Sequence, residues 1–212
     1  MTVASGKVAI LDLYYLPCLE YWAVFFGYEQ VIVDVFAHFE KQSYRNRCKI
    51  LTAQGVMSLS VPVCKVSGRQ ALREVYIDYR QKWPRHHWRS IQAAYGKAPF
   101  FEYYQDDFRA VFEQEIELLW QLNWQLLTIC RSILQAPAQV QISEKYVELP
   151  SENHFEDWRG AFKPQSHSET SRRFGTPNYV QVFGKPFVGN LSILDLIFCE
   201  GPNAGNLIRQ SL

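Results

Sequence analysis

The stretch VAILDLYYLPCLEYWAVFFGYEQVIVDVF, Val8 to Phe36, decides the fold. Val8 to Tyr14 is a short apolar run rich in β-forming residues, and Pro17 ends it. Leu19 to Tyr28 is apolar and aromatic, with Glu20 at its start and Gly27 near its end, which fits a short helix. Val31 to Phe36 is a second β-branched run. Strand, helix and strand within so short a stretch predict the opening of a βαβ unit and a parallel pair of strands.

The rest of the chain extends this pattern. Lys49 to Thr52 and Val56 to Val63 flank Gln54-Gly55 and read as a hairpin, with Leu59, Val61 and Val63 alternating with Ser58, Ser60 and Pro62. Val75 to Tyr79 reads as another short strand. Pro84 suits a helix start, and His87, Ile91, Ala94 and Tyr95 then share one helical face before Ala98-Pro99 stops it. Phe112, Ile116, Leu119, Leu122, Leu126, Cys130 and Ile133 recur at helical spacing, which predicts one long helix from Phe108 to Leu134. Val140 to Val147 and Tyr179 to Phe183 read as strands. Leu191 to Phe198 reads as a helix with Asn190 as N-cap and Gly201-Pro202 as the stop. Glu148 to Thr176 is polar and weakly periodic, as a flexible loop or lid would be. The expected architecture is α/β. It is a single domain over residues 1–212, with a mixed β-sheet flanked by helices and one long helix in the C-terminal half.

Composition excludes several classes. Of 212 residues, 48% are hydrophobic and 15% aromatic, too apolar for a disordered chain. Lys+Arg 22 against Asp+Glu 21 leaves a net charge of +1, so no global field draws the protein to nucleic acid or to anionic lipid. The five cysteines are scattered without a Cys-x-x-Cys, which argues against a zinc ribbon or a disulfide framework. The first residues lack the basic-then-apolar pattern of a signal peptide, and the apolar stretches are interrupted by charge. The reading is a cytoplasmic protein with no nucleic-acid partner and no membrane insertion.

Two clusters could carry chemistry. Lys41-Gln42-Ser43-Tyr44-Arg45-Asn46-Arg47 packs three cations, a phenol, two amides and a hydroxyl into one segment. If extended, it places Lys41, Ser43, Arg45 and Arg47 on one edge and Gln42, Tyr44 and Asn46 on the other. Guanidinium and ammonium groups partner phosphate and carboxylate, so one reading is an anion site for a group such as a nucleotide diphosphate. The other is a solvated basic loop paired with nearby acids. The second cluster is Trp83-Pro84-Arg85-His86-His87-Trp88, with Tyr95 two turns on. Adjacent histidines point about 100° apart on a helix, which disfavours a shared metal, so no metal site is assigned. His87 is either a general base or a core histidine bonded to a neighbour. Glu102, Asp106 and Asp107 read as ordinary helix-start acids. Asp195, in an apolar run, must find a partner or shift its pKa; it is either a structural counter-ion to an arginine of the basic segment, the favoured reading, or a site residue. Dinucleotide, P-loop and serine-elbow motifs are absent, and no cofactor is assigned.

Several blocks, taken in order, resemble a known family. They are Tyr14-Tyr15-Leu16-Pro17, Lys41 to Arg47, Leu59-Ser60-Val61-Pro62-Val63, Trp83 with His87-Trp88, Ala93 to Phe101, and Asn190 to Leu196. The chain resembles the WbqC-like protein family from about Val8 to Pro202, in the shorter form found in the Bacteroides group. Members from surface-polysaccharide clusters carry a Gln-Pro near the first strand, where this chain has Asp12-Leu13-Tyr14-Tyr15. The resemblance implies a role in cell-surface polysaccharide biosynthesis of the O-antigen or lipopolysaccharide kind. It implies a small anionic substrate, a nucleotide-linked sugar, and a transferase that moves or modifies a group on that sugar. The motif positions carried over are Lys41, Tyr44, Arg45, Asn46, Arg47, His87 and Tyr95. In this reading the cations hold the diphosphate, Tyr14, Tyr44 or Trp88 walls the sugar ring, and His87 is the base. Two alternatives come from other classes. One is a non-catalytic scaffold of a glycan-assembly complex, whose aromatic residues would serve packing and a partner face. The other is a nucleotidyltransferase-like α/β enzyme.

Overall fold

Val8 to Leu11 has no polar residue because both faces of its strand are covered, as parallel strands require. In the computed structural model, which describes residues 4–149, 154–164, 175, 177–183 and 186–212, this run belongs to β1 (Ala4–Asp12). The chain then forms α1 (Leu19–Gly27), buried almost throughout, and returns as β2 (Tyr28–Asp34) parallel to β1. The register pairs Val8 with Gln30 and Asp12 with Asp34. The βαβ opening expected from the sequence is therefore present.

Two further strands complete a four-stranded sheet in the order β5-β2-β1-β6, with every pair parallel. They are β5 (Gln139–Ile142) and β6 (Phe155–Asp157). The antiparallel pairing lies apart, in the hairpin of β3 (Arg47–Thr52) and β4 (Gly55–Ser60). Gly55 closes its turn at φ 104°, where a side chain would be strained. The helices are α2 (Trp83–Tyr95), α3 (Phe101–Phe112), α4 (Leu119–Leu134), α5 (Ile193–Glu200) and α6 (Ala204–Gln210). The α/β class is as expected, with parallel and antiparallel pairing divided between two sheets. A continuous core runs through all these elements except β6, and Trp22, Tyr14, Tyr15, Tyr21, Tyr95, Phe25, Phe26, Phe108 and Phe198 are fully buried in it.

Several local expectations are corrected. The periodic run from Phe108 to Leu134 is the end of α3, a break, and then α4. In the break, Ile116 both donates to and accepts from the Tyr79 hydroxyl, Ile77 N donates to Glu117 O, and Leu119 N donates to Val75 O. The main chain of 116–119 is thus bonded to 75–79 instead of closing helical turns. For the same reason 75–79 is not a strand: it forms only isolated bridges, Val63 with Ile77 and Tyr76 with Leu118. Residues 179–183 form no strand either. Their bonds run from side chains, with the Gln181 amide clamping the main chain of Val188 on both its N–H and its C=O. Glu102, Asp106 and Asp107 lie within α3, which begins earlier than expected, at Phe101.

Asn190 does not cap α5; the Ser192 hydroxyl does, accepting from Leu194 N. Asn190, at φ 53°, instead presents Oδ1 to Glu20 N in the first turn of α1. Within 148–176, Phe155–Asp157 is the outer strand β6, too short to show a period. Of the lid expected there, 150–153, 165–174 and 176 lie outside the described residues.

Candidate functional site

β1 sits between β2 on one side and β6 on the other. The chain goes from β1 to β2 and β5 on one flank, then crosses to β6 on the other. In open parallel sheets, ligands bind beyond the carboxyl ends of the strands at such a reversal point. Here those ends carry Asp12, Asp34 and Asp157. Next to them opens a cleft of about 450 Å³, lined by Glu40, Lys41, Gln42, Ser43 and Arg45 from the segment after β2, and by Gly160, Phe162, Lys163 and Pro164 from the segment after β6.

Asp12 ties the two walls together. Its Oδ1 accepts from Arg45 Nη2 at 2.7 Å, and its Oδ2 accepts from Gly160 N at 2.7 Å and the Tyr14 hydroxyl at 3.0 Å. Burial pushes the Asp12 carboxyl above its ordinary value, while the Arg45 guanidinium and the two other donors pull it back. Burial beside Asp12 also pushes the Tyr14 phenol well up, so it stays protonated and donates. Arg45 is itself buried, reaches Glu40 Oε2 at 3.4 Å, and leaves Nε buried without an acceptor. Its main chain is fixed as well: its N–H donates to Ser43 Oγ, and its carbonyl accepts from Asn123 Nδ2 of α4. Arg159 performs the matching task nearby, bridging Asp34 and Asp157 at 2.6 and 2.8 Å. With these carboxylates matched, Lys41 and Lys163 are exposed cations on facing walls of the cleft.

The cationic segment is not extended. It makes two successive turns, with Gln42 at φ 61°, so strict alternation of edges does not hold. Lys41, Gln42, Ser43 and Arg45 line the cleft, whereas Arg47 leaves it as the first residue of β3. Asn46 is a strut, its Nδ2 donating to Val61 O and its carbonyl accepting from Val61 N. Tyr44 is buried and packs its ring 5.9 Å from that of Tyr14, which in turn meets Phe162 edge-on at 6.3 Å.

His87 lies elsewhere. It is 5% exposed, and its Nδ1 shares a 2.8 Å hydrogen bond with the Tyr15 hydroxyl. Burial, with His86 alongside, pushes its pKa down to about 4. It lines a second cavity of about 480 Å³ that shares no lining residue with the first. Tyr14 and Tyr15 are adjacent in the chain, so their hydroxyls diverge, one to Asp12 and the other to His87. Tyr95 belongs to a third place. It is fully buried, and its hydroxyl accepts from Leu51 N and faces Asp195. Asp195 has no arginine partner among the described residues. Tyr179 and Gln181 donate to its Oδ2 at 2.6 and 2.9 Å, and burial raises its pKa. Neutral donors serve it there, and Arg45 of the basic segment is taken by Asp12.

A family model described as the WbqC-like protein family matches residues 13–161. The chain belongs to the WbqC-like protein family. An uncharacterised protein of Mycobacterium tuberculosis (strain ATCC 25618 / H37Rv) is 30% identical over 229 residues, covering 96% of this chain and 97% of that protein. No solved structure matches the chain. The WbqC-like match includes Tyr14, the segment 41–47, the whole lining of the second cavity and Gly160, and it stops just before Phe162 and Lys163.

Sequence reasoning missed Asp12, Gly160 and Lys163. Asp12 is a carboxylate inside an apolar run, the same signal that singled out Asp195, and it could have been found that way. Gly160 and Lys163 carry no local signal, because only the pairing of β6 with β1 brings them to the cleft. Among the described residues, no group of three or more His, Cys, Asp or Glu is disposed to hold a metal, and no helix is long and apolar enough to cross a membrane.

Proposed function

We propose that the cleft beyond β1 and β6 binds the diphosphate of a nucleotide-linked sugar, and that the protein transfers or modifies a group on that sugar during assembly of a cell-surface polysaccharide. The observation that carries this reading is the position of Lys41 and Lys163 on two walls of a cleft at the reversal point of a parallel sheet, with Arg45 in the same lining held by Asp12. An anion entering there meets two ammonium groups whose solvation it shares, and a guanidinium already ordered in place. The sheet end supplies the depth, and Phe162 supplies an apolar wall. Membership of the WbqC-like family supports the metabolic setting.

Calorimetric titration with a nucleoside diphosphate sugar tests the proposal. The wild-type protein binds, and the double variant Lys41→Ala/Lys163→Ala binds at least roughly tenfold more weakly, a loss of about 1.4 kcal/mol. Raising the salt concentration weakens the wild-type affinity and has less effect on the variant. Equal affinity in the two proteins would refute the site. A scaffold acting in the same pathway would give no heat with any nucleotide or sugar.

A further inference from the structure

The second cavity has a chemistry that the cleft reading does not use. Its lining is Ser60, Pro62, Gln81, Lys82, Trp83, Arg85, His86, His87 and Arg89. No carboxylate borders it. From residue 79 to residue 101 the chain contains neither Asp nor Glu, while it carries Arg80, Lys82, Arg85, Arg89 and Lys97. Arg80 is matched by Asp78. Among the described residues, Lys82, Arg85 and Arg89 form no ion pair, and all three are exposed.

We propose that this cavity binds the phosphate or diphosphate group of a small metabolite, at a site separate from the cleft beyond β1 and β6.

Helical spacing gathers the cations. Lys82, Arg85 and Arg89 stand three and four residues apart, so their heads share one stripe at the start of α2. Like charges at that spacing repel, and no carboxylate on the helix relieves them. A dianion between them turns the repulsion into attraction. Guanidinium forks match phosphate oxygens bidentately, and a phosphate has oxygens enough for more than one fork. The first turn of α2 also has no acidic residue, so the positive end of the helix dipole faces the cavity uncompensated. The site is recessed. His87, 5% exposed, lies beneath it with its ring already held by Tyr15 and by the Ser60 main chain, and the Ser60 side chain adds a hydroxyl from the end of β4. An open cavity of about 480 Å³ has room for a small free metabolite.

The histidines give a local readout. In nuclear magnetic resonance titrations with pyrophosphate at millimolar concentration, the ring signals of His86 and His87 shift saturably in the wild-type protein. In Arg85→Ala/Arg89→Ala the apparent affinity read from those signals falls roughly tenfold or more. Both arginines are exposed, so the variant keeps its fold, which its circular dichroism confirms. Lys41→Ala/Lys163→Ala leaves the histidine response unchanged, which separates this site from the cleft. Three results would overturn the proposal. One is histidine signals that do not move with pyrophosphate. Another is a response equal in the arginine variant. The third is co-sedimentation with phosphatidylglycerol vesicles, lost in the arginine variant, in a protein whose histidines ignore pyrophosphate.

Discussion

Asp12 and Arg45 are the pair on which the cleft depends. Both are buried, and the attraction between them offsets much of the cost of removing two charges from water. Taking away one partner leaves the other charge inside. Arg45→Ala is therefore expected to lower unfolding stability by roughly 3–5 kcal/mol, and adding Asp12→Asn to it recovers part of that loss. Urea denaturation of the two variants checks this. A loss below 1 kcal/mol for Arg45→Ala, on the scale of exposed pairs, would mean that solvent already reaches the pair. On the proposed reading Arg45→Ala would also weaken ligand binding, which is why the exposed Lys41 and Lys163 are the cleaner probes of the cleft. The sequence marked Arg45 as a ligand residue. The structure adds that its guanidinium is held by the Asp12 carboxylate.

Elements here depend on one another more than on their own sequences. Helix α1 has Cys18 at its N-cap, a residue that makes no capping bond. Its first turn is completed from a distance, by Asn190 Oδ1 on Glu20 N, while Leu19 N donates to Leu191 O and Ile193 N donates to Pro17 O. The N-termini of α1 and α5 are thus stitched together. Asn190→Gly keeps the left-handed backbone at φ 53° and removes only the cap. It is expected to cost roughly 1 kcal/mol, visible as a lower urea midpoint with an unchanged slope. An unchanged midpoint would show that the long-range cap adds nothing. The break between α3 and α4 has the same character. Apolar spacing carries on through Ile116, yet the backbone there is taken by residues 75–79.

At the scale of the whole molecule, the buried His87 sets a pH dependence. Its folded pKa is pushed down to about 4, against an ordinary value near 6.5 when the chain is unfolded. The unfolded state therefore binds the proton first, and stability falls as pH drops from about 6.5 toward 4. The contribution reaches at most roughly 3 kcal/mol at the acid end. Asp12 and Asp195, whose burial raises their pKa, act in the opposite sense and must be subtracted. The measurement is thus a difference: between pH 6.5 and pH 4 the wild-type protein loses more stability than His87→Gln does. Parallel stability curves for the two proteins would rule out His87 as the source.

The sequence by itself determined the βαβ opening, the hairpin, the α/β class and the segment that supplies most of one cleft wall. Each of these is local: apolar period, β-branched runs, turn residues and the charges of adjacent side chains act within a few residues of each other. Only the tertiary structure decided that β6 pairs with β1, that Gly160 and Lys163 meet Lys41 and Arg45, and that His87 faces another cavity by way of Tyr15. Those placements depend on where a parallel sheet reverses its order and on which buried polar groups find partners. Residues from 33 to 148 positions apart settle both, and no short window of sequence contains them together.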